Sequence, residues 1–172
     1  NIVDRATTII KKHFEEKGFK NAEVNIKQTD DLTHENEVIV DIYVDKKEKV
    51  KVHKIYIDGN EVLSDRKIKW AMKKTNEKGN LLHLFRTKKF VEENYKNDKN
   101  LIIEKYNELG YRDAAIVNDS VVRYNDKTVD VYLTIDEGKK YYIRNIDWVG
   151  NTIYPSDYLS AVLGMKPGDV YN

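Results

Sequence analysis

The sequence predicts an α+β protein assembled from tandem copies of one small unit, ordered strand, helix, helix, strand, strand. Three observations carry this. The stretches IYIDGNEVLSDRKIKW, from Ile55, and IDWVGNTIYPSDYLSA, from Ile146, both read as a short strand, a Gly-Asn step and a polar entry into a helix. EEKGFKNAEV at 15–24 matches NELGYRDAAI at 107–116, and VIVDIYVD at 38–45 matches VDVYLTID at 129–136, so the offset is 91 to 92 throughout. The matches fall on alternating apolar positions and on punctuating glycines. Such a period is long for a solenoid and ordinary for a small domain.

The elements follow in chain order. Residues 2–17 read as an amphipathic helix, because Ile2, Ala6, Ile9, Ile10 and Phe14 recur at three and four; Gly18 closes it. Ala22, Val24 and Ile26 alternate with polar residues, as do Val38, Val40, Ile42 and Val44. With DDLTHENE between them they form a hairpin pattern. A strand is expected at 51–58, leaving through Gly59 and Asn60. Gly150 and Asn151 repeat that exit, and both glycines are expected in a conformation that a Cβ would strain. A helix then starts with Ser64 as N-cap and turns Ile68, Ala71 and Met72 inward. The second helix runs from about Phe90 to Leu109, with a buried stripe of Val91, Tyr95, Ile102, Tyr106 and Leu109. After Gly110 a second hairpin pairs Ala114–Val122 with Val129–Ile135. A last strand is expected at 141–148 and a helix from about Ser156. The aromatic pairs Phe14/Phe19 and Tyr106/Tyr111 bracket the helix-ending glycines; the helix member should pack inward and the other should seal the corner.

In three dimensions this order gives a three-stranded mixed sheet with two helices on one face. A ferredoxin-like fold would need two βαβ halves, and here two helices stand in succession. Residues 49–139 contain the unit entire. Residues 1–48 read as the C-terminal half of an earlier unit and 140–172 as the N-terminal part of a further one. The apolar faces left uncovered in these partial units could complete one another between molecules, the tail of one beside the head of the next. Continuation of the chain at either end would complete them instead.

Of the 172 residues, 40% are apolar and 34% charged, a folded and well-solvated composition. A net charge of +1 gives no global pull toward nucleic acid or membrane. The absence of Cys excludes disulfides and thiolate metal sites. No apolar run is long enough to span a bilayer as a helix. The chain opens inside a helical pattern, so it neither displays nor rules out a leader segment. His13, His34, His53 and His83 lack metal-ligand spacing, GNLLHLF is no phosphate loop, and Asp30, Asp31 and Glu35 fit a solvated turn. No catalytic, cofactor or metal-binding residue is expected. One basic concentration stands out: Arg66, Lys67, Lys69, Lys73, Lys74, Lys78, Arg86, Lys88 and Lys89, with Glu77 the single acid among them. It reads first as a solvated helix face. An acidic protein or anionic lipid is the next reading. With Trp70, His83 and Phe85 interleaved, a nucleic-acid binding module acting through 66–89 stays as an alternative, but nucleic acid is not the expected partner, since RNA-recognition aromatics, a KH loop and zinc spacing are missing.

The repeated order and its punctuation resemble the POTRA repeat, in the form carried by BamA-like outer-membrane assembly factors. The residues behind the resemblance are VHKIYIDGN at 52–60 and IRNIDWVGN at 143–151, LIIEKYNELGYRDAAI at 101–116 and IIKKHFEEKGFKNAEV at 9–24, and the closing strands 38–44 and 129–135. The resemblance covers nearly the entire chain. It departs in the long basic loop KKTNEKGNLLHLFRTKKF and in the different loop GMKPGDVYN of the last copy. It implies a module on the periplasmic side of a Gram-negative outer membrane that binds unfolded outer-membrane proteins and accessory lipoproteins. A membrane barrel elsewhere in the parent protein would insert the clients. Polypeptide-secretion transporters carry related repeats and stay open as an alternative. The resemblance also places the second strand of each unit at a sheet edge. Here that is Ala114, Ala115, Ile116, Val117, Asn118, Asp119, Ser120, Val121 and Val122, and in the earlier unit Ala22–Thr29. No Pro or Lys defends the 114–122 edge.

Overall fold

The computed structural model describes residues 2–77 and 89–171. Its elements are α1 (Ile2–Glu16), β1 (Glu23–Asp30), β2 (Val38–Asp45), β3 (Lys51–Asp58), α2 (Asp65–Ala71), α3 (Glu92–Asn107), β4 (Ala115–Asn125), β5 (Thr128–Asp136) and α4 (Ser156–Leu163). Lys78, Arg86 and Lys88 of the basic cluster, with the GNLLHLF stretch, lie outside the described residues.

Strands β3, β5 and β4 form one mixed sheet in that order, β3 parallel to β5 and β4 antiparallel to it. Parallel neighbours need a crossover, and α2, α3 and β4 all lie in the connection from β3 to β5. The apolar alternation sets which face α2 and α3 cover: Val52, Ile55, Val131 and Leu133 from the sheet meet Ile68, Met72, Tyr95, Ile102 and Tyr106 from the helices, all buried. Ala71 is only half-buried and Leu109 packs at the margin of this core. Buried aliphatic and aromatic side chains contribute roughly 1.5–3 kcal/mol each, so this cluster holds the unit together.

Tyr106 is completely buried and donates its hydroxyl to Glu137 Oε1 at 2.8 Å; Glu137 also accepts from the Val62 N–H at 2.9 Å. Its ring meets Tyr111 edge-on at 6.3 Å, and Phe14 meets Phe19 in the same way at 6.1 Å. The helix ends are also alike in the backbone. Phe19 N–H donates to Phe14 O and Ala22 N–H to Phe19 O, while Tyr111 N–H donates to Tyr106 O and Ala114 N–H to Tyr111 O.

Strands β1 and β2 form a separate antiparallel hairpin with α1 against β1. Val38, Val40, Ile42 and Val44 of β2 remain between 41% and 56% exposed, since among the described residues no strand lies beside β2 as β3 lies beside β5.

Two expectations need correction. Residues 141–148 do not form a ladder strand; a single bridge joins Tyr142 to Val170. A strand exists by pairing, and no described strand after residue 148 plays for this segment the part that β5 plays for β3. Ser64 occupies the N-cap of α2, where its carbonyl accepts from Lys67 and Ile68, but its hydroxyl makes no capping bond. Asn60 ties the helix start instead, donating Nδ2 to Leu63 O and to Asp65 Oδ1.

Candidate functional site

The two edges of the three-stranded sheet are built differently. The outer edge of β3 is occupied. Val52 bridges Glu77, Lys51 bridges Lys89, and the Ile55 N–H donates to Glu77 Oε1 at 2.8 Å. Lys69 Nζ holds that same carboxylate oxygen at 2.8 Å, so this member of the basic cluster is partnered rather than displayed. The segment leading to Glu77 is fixed by Asp98, a fully buried carboxylate on α3. It accepts from the backbone N–H groups of Lys73, Lys74 and Thr75, the shortest at 2.6 Å. Three backbone donors around one carboxylate replace the water that burial removed.

The outer edge of β4 has no such cover. Among the described residues no strand pairs with it on the side away from β5. Alternate residues of an edge strand point both N–H and C=O outward, a template for an added strand. Two irregularities divide this edge, at Val117 between Ile116 and Asn118 and at Tyr124 between Arg123 and Asn125. The evenly registered stretch is therefore 118–123, shorter than the sequence alone indicated. Bulges of this kind limit uncontrolled edge pairing, so the edge is defended by shape where it lacks Pro and Lys.

Side chains fix β4 from both faces. On the helix side Asp119 pairs with Lys99 at 2.9 Å; burial, with the Asp119 carboxylate nearby, pushes the Tyr95 hydroxyl above the ordinary phenol range. On the open face Tyr124 stacks on His53 at 4.0 Å, and His53 Nδ1 lies 2.8 Å from Asp130 Oδ1 on β5. Tyr56 and Tyr132 stack beside them at 4.7 Å. Val117, Val122 and Tyr124 expose 59%, 50% and 58% of their surface, an apolar supply for a docked segment.

The remaining sequence-predicted residues are dispersed. Ala114 is buried in front of the strand and belongs to the helix corner. Arg66, Lys67, Lys73 and Lys74 are exposed on and just after α2, whereas Lys89 bridges Lys51 at the start of β3. Gly59 and Gly150 adopt φ of +78° and +81°. Asn151 repeats the role of Asn60, donating to Tyr154 O and Ser156 Oγ. One metal-compatible group occurs among the described residues, Asp31, His34 and Glu37 at the β1–β2 turn. Hydrogen bonds from the Thr33 N–H and hydroxyl, with His34 beside them, hold the half-buried Asp31 carboxyl below the usual carboxylate range. Sequence reading missed the roles of Asp98 and Glu77, whose backbone N–H partners lie more than twenty residues away along the chain.

A family model described as POTRA, surface antigen variable number repeat, matches residues 50–138 and again 141–172. The chain belongs to the POTRA family. It is 32% identical over 152 residues to the outer membrane protein assembly factor BamA of Neisseria meningitidis serogroup B, an alignment covering 86% of this chain and 19% of that protein. It is 24% identical over 168 residues to BamA of Buchnera aphidicola, covering 95% of this chain and 25% of that one. The chain thus spans a quarter or less of the length of these relatives. The crystal structure of POTRA domains 3–5 of Haemophilus influenzae BamA superposes with a TM-score of 0.52 at 20% identity, over 99% of this chain and 63% of that one, and supports the fold.

Proposed function

We propose that this chain is a periplasmic binding and scaffold module for the assembly of β-barrel proteins into the outer membrane of a Gram-negative bacterium. It offers sheet edges to unfolded barrel clients and to accessory lipoproteins of the assembly complex, and a membrane barrel in the parent protein performs the insertion. In this reading residues 49–139 are the complete unit, and 1–48 and 140–172 belong to its neighbours. The observation that carries it is the contrast between the guarded edge of β3 and the open edge of β4. Barrel clients are rich in strands and differ in sequence, so backbone pairing along Asn118–Arg123 recognises what they share. Proline removes a backbone donor and blocks an added strand without disturbing the inner ladder when its N–H faces out. Ser120 and Val121 are adjacent, so one of them presents its N–H outward. A strand-forming peptide from a barrel protein should bind, and Ser120→Pro or Val121→Pro should abolish binding in a folded variant. Undiminished binding by both folded variants contradicts the proposal.

A second reading uses the exposed α2 cations. Together with the half-exposed Trp70 they border a groove of about 630 Å³ between α2 and α3, suited to an acidic partner. Binding that falls steeply with salt and is lost in Arg66→Ala/Lys67→Ala favours it.

A further inference from the structure

The hairpin β1–β2 lies in a stretch that has acids and no strong base. Between Lys27 and Lys46 there is no Lys or Arg, although the whole chain holds 30, and Asp30, Asp31, Glu35, Glu37, Asp41 and Asp45 stand there with His34. Elsewhere carboxylates find such partners: Arg112 pairs with Asp113, Lys99 with Asp119 and Lys127 with Glu48. Among the described residues neither Asp31 nor Glu37 has a Lys or Arg partner. The stretch also departs from its repeat. In the hairpin β4–β5 only Asp126 and Lys127 separate the paired residues Asn125 and Thr128, whereas residues 31–37 separate the paired Asp30 and Val38. The hairpin of this unit closes without those extra residues, and in the earlier unit they carry the donors described next.

The spacing Asp-x-x-His-x-x-Glu matches no common metal motif; the hairpin brings its members together. Asp31 N–H donates to Glu37 O at 3.0 Å, which extends the β1–β2 ladder by one step and sets Asp31 opposite Glu37. Asp31, His34 and Glu37 each bring a ligand atom within 4.8 Å of the others. His34 Nδ1 lies 3.1 Å from Asp31 Oδ2. Two ligands of one tetrahedral zinc ion stand about 3.3 Å apart, given bonds near 2.0–2.1 Å. The other Asp31 oxygen, Oδ1, accepts from the Thr33 hydroxyl at 2.6 Å and from the Thr33 N–H at 2.8 Å. Outer hydrogen bonds of this kind orient a carboxylate toward a metal, and here they leave Oδ2 free to ligate. Like charges placed opposite each other in a hairpin are destabilising, a cost that a shared cation removes.

We propose that Asp31 Oδ2, His34 Nδ1 and a carboxylate oxygen of Glu37 hold one divalent transition-metal ion of the zinc class, with water at the fourth position. The imidazole selects against Ca2+ and Mg2+, which take all-oxygen sites. To ligate through Nδ1 the neutral ring carries its proton on Nε2. The ion ties the end of β1 to the start of β2. A two-stranded hairpin is marginal by itself, and β2 keeps much of its apolar surface exposed, so a staple at this end holds the two strands in register.

The test titrates the isotope-labelled, chelator-treated chain with ZnCl2 and, separately, with CaCl2 at the same ionic strength. Zn2+ should bind one to one with a Kd below about 0.1 mM. It should move the amides of 31–37 and the His34 imidazole, and slow amide exchange in 23–30 and 38–45. Ca2+ should leave all of these in place. Thr33→Val removes an outer hydrogen bond and should weaken Zn2+ binding about tenfold; His34→Ala and Glu37→Gln remove ligands and should weaken it further. All three sites are exposed, so the amide map outside the turn reports that each variant is folded. Absence of Zn2+ binding, shifts centred on His13, His53 or His83, an equal response to Ca2+, or undiminished binding by folded His34→Ala overturns the proposal.

Discussion

Gly59 and Gly150 occupy the same point in two copies of the POTRA unit, with the same backbone conformation and the same Asn side chain tying the next helix. Their surroundings differ. A Cβ on Gly59 would lie 2.1 Å from the carbonyl oxygen of Ile135, at the end of β5, while a Cβ on Gly150 would meet nothing within 4 Å. The turn is a local property, written in Gly-Asn and repeated wherever those residues recur. The steric demand for glycine is a tertiary property that arises where the third strand of the unit passes behind the turn. The same distinction separates β3 from residues 141–148. Both carry the apolar pattern of a strand, and only the one with a partner becomes one.

Substitutions should expose this difference. Gly59→Val puts a branched side chain against backbone, with no flexible neighbour to yield, and should destabilise the chain by more than about 4 kcal/mol. Gly150→Val meets only the cost of the left-handed conformation, about 1 kcal/mol. Urea midpoints of the two variants measure the gap; equal losses would remove the tertiary argument. Tyr106→Ala opens a cavity in the complete core and should cost about 3 kcal/mol, whereas Phe14→Ala, at the half-buried counterpart beside α1, should cost about half as much.

Asp98→Ala leaves the N–H groups of Lys73, Lys74 and Thr75 without their acceptor, at a cost of about 2 kcal/mol. The matching position in α1 is Ala6, so no equivalent clamp exists there to break. The smallest expected effect is in alkali. Burial, reinforced by the bond to Glu137, raises the Tyr106 hydroxyl above the ordinary phenol value. The unfolded chain therefore loses this proton first as pH rises past about 10, and stability present below that pH declines above it. The decline between pH 9 and 11 should be shallower in Tyr106→Phe, with Tyr95 supplying the remainder.

The legible features were those that local chemistry sets. Glycines past helix ends, the three-four spacing of Tyr95, Ile102 and Tyr106, and period-two alternation in β2 and β5 placed the elements and the repeat. The Gly-Asn turns were legible because two copies could be compared. Asp98 and Glu77 were not, since an acidic residue on a helix or in a loop carries no mark of the distant backbone N–H that it will accept from. Bulges at Val117 and Tyr124 escaped for a related reason: register against β5 depends on the partner strand, and AAIVNDSVVRY alternates nearly as well without them. The basic run looked continuous in sequence, yet Lys69 is spent on Glu77 while Arg66, Lys67, Lys73 and Lys74 stay exposed.

The most direct measurement of edge docking is a residue-resolved amide map of the labelled chain during titration with a strand-forming peptide from an outer-membrane barrel. Edge pairing predicts shifts and slowed exchange in alternate residues of Asn118–Arg123, with Lys51–Ile57 of the guarded edge unchanged. Shifts confined to residues 66–74, or equal at both sheet edges, would contradict it.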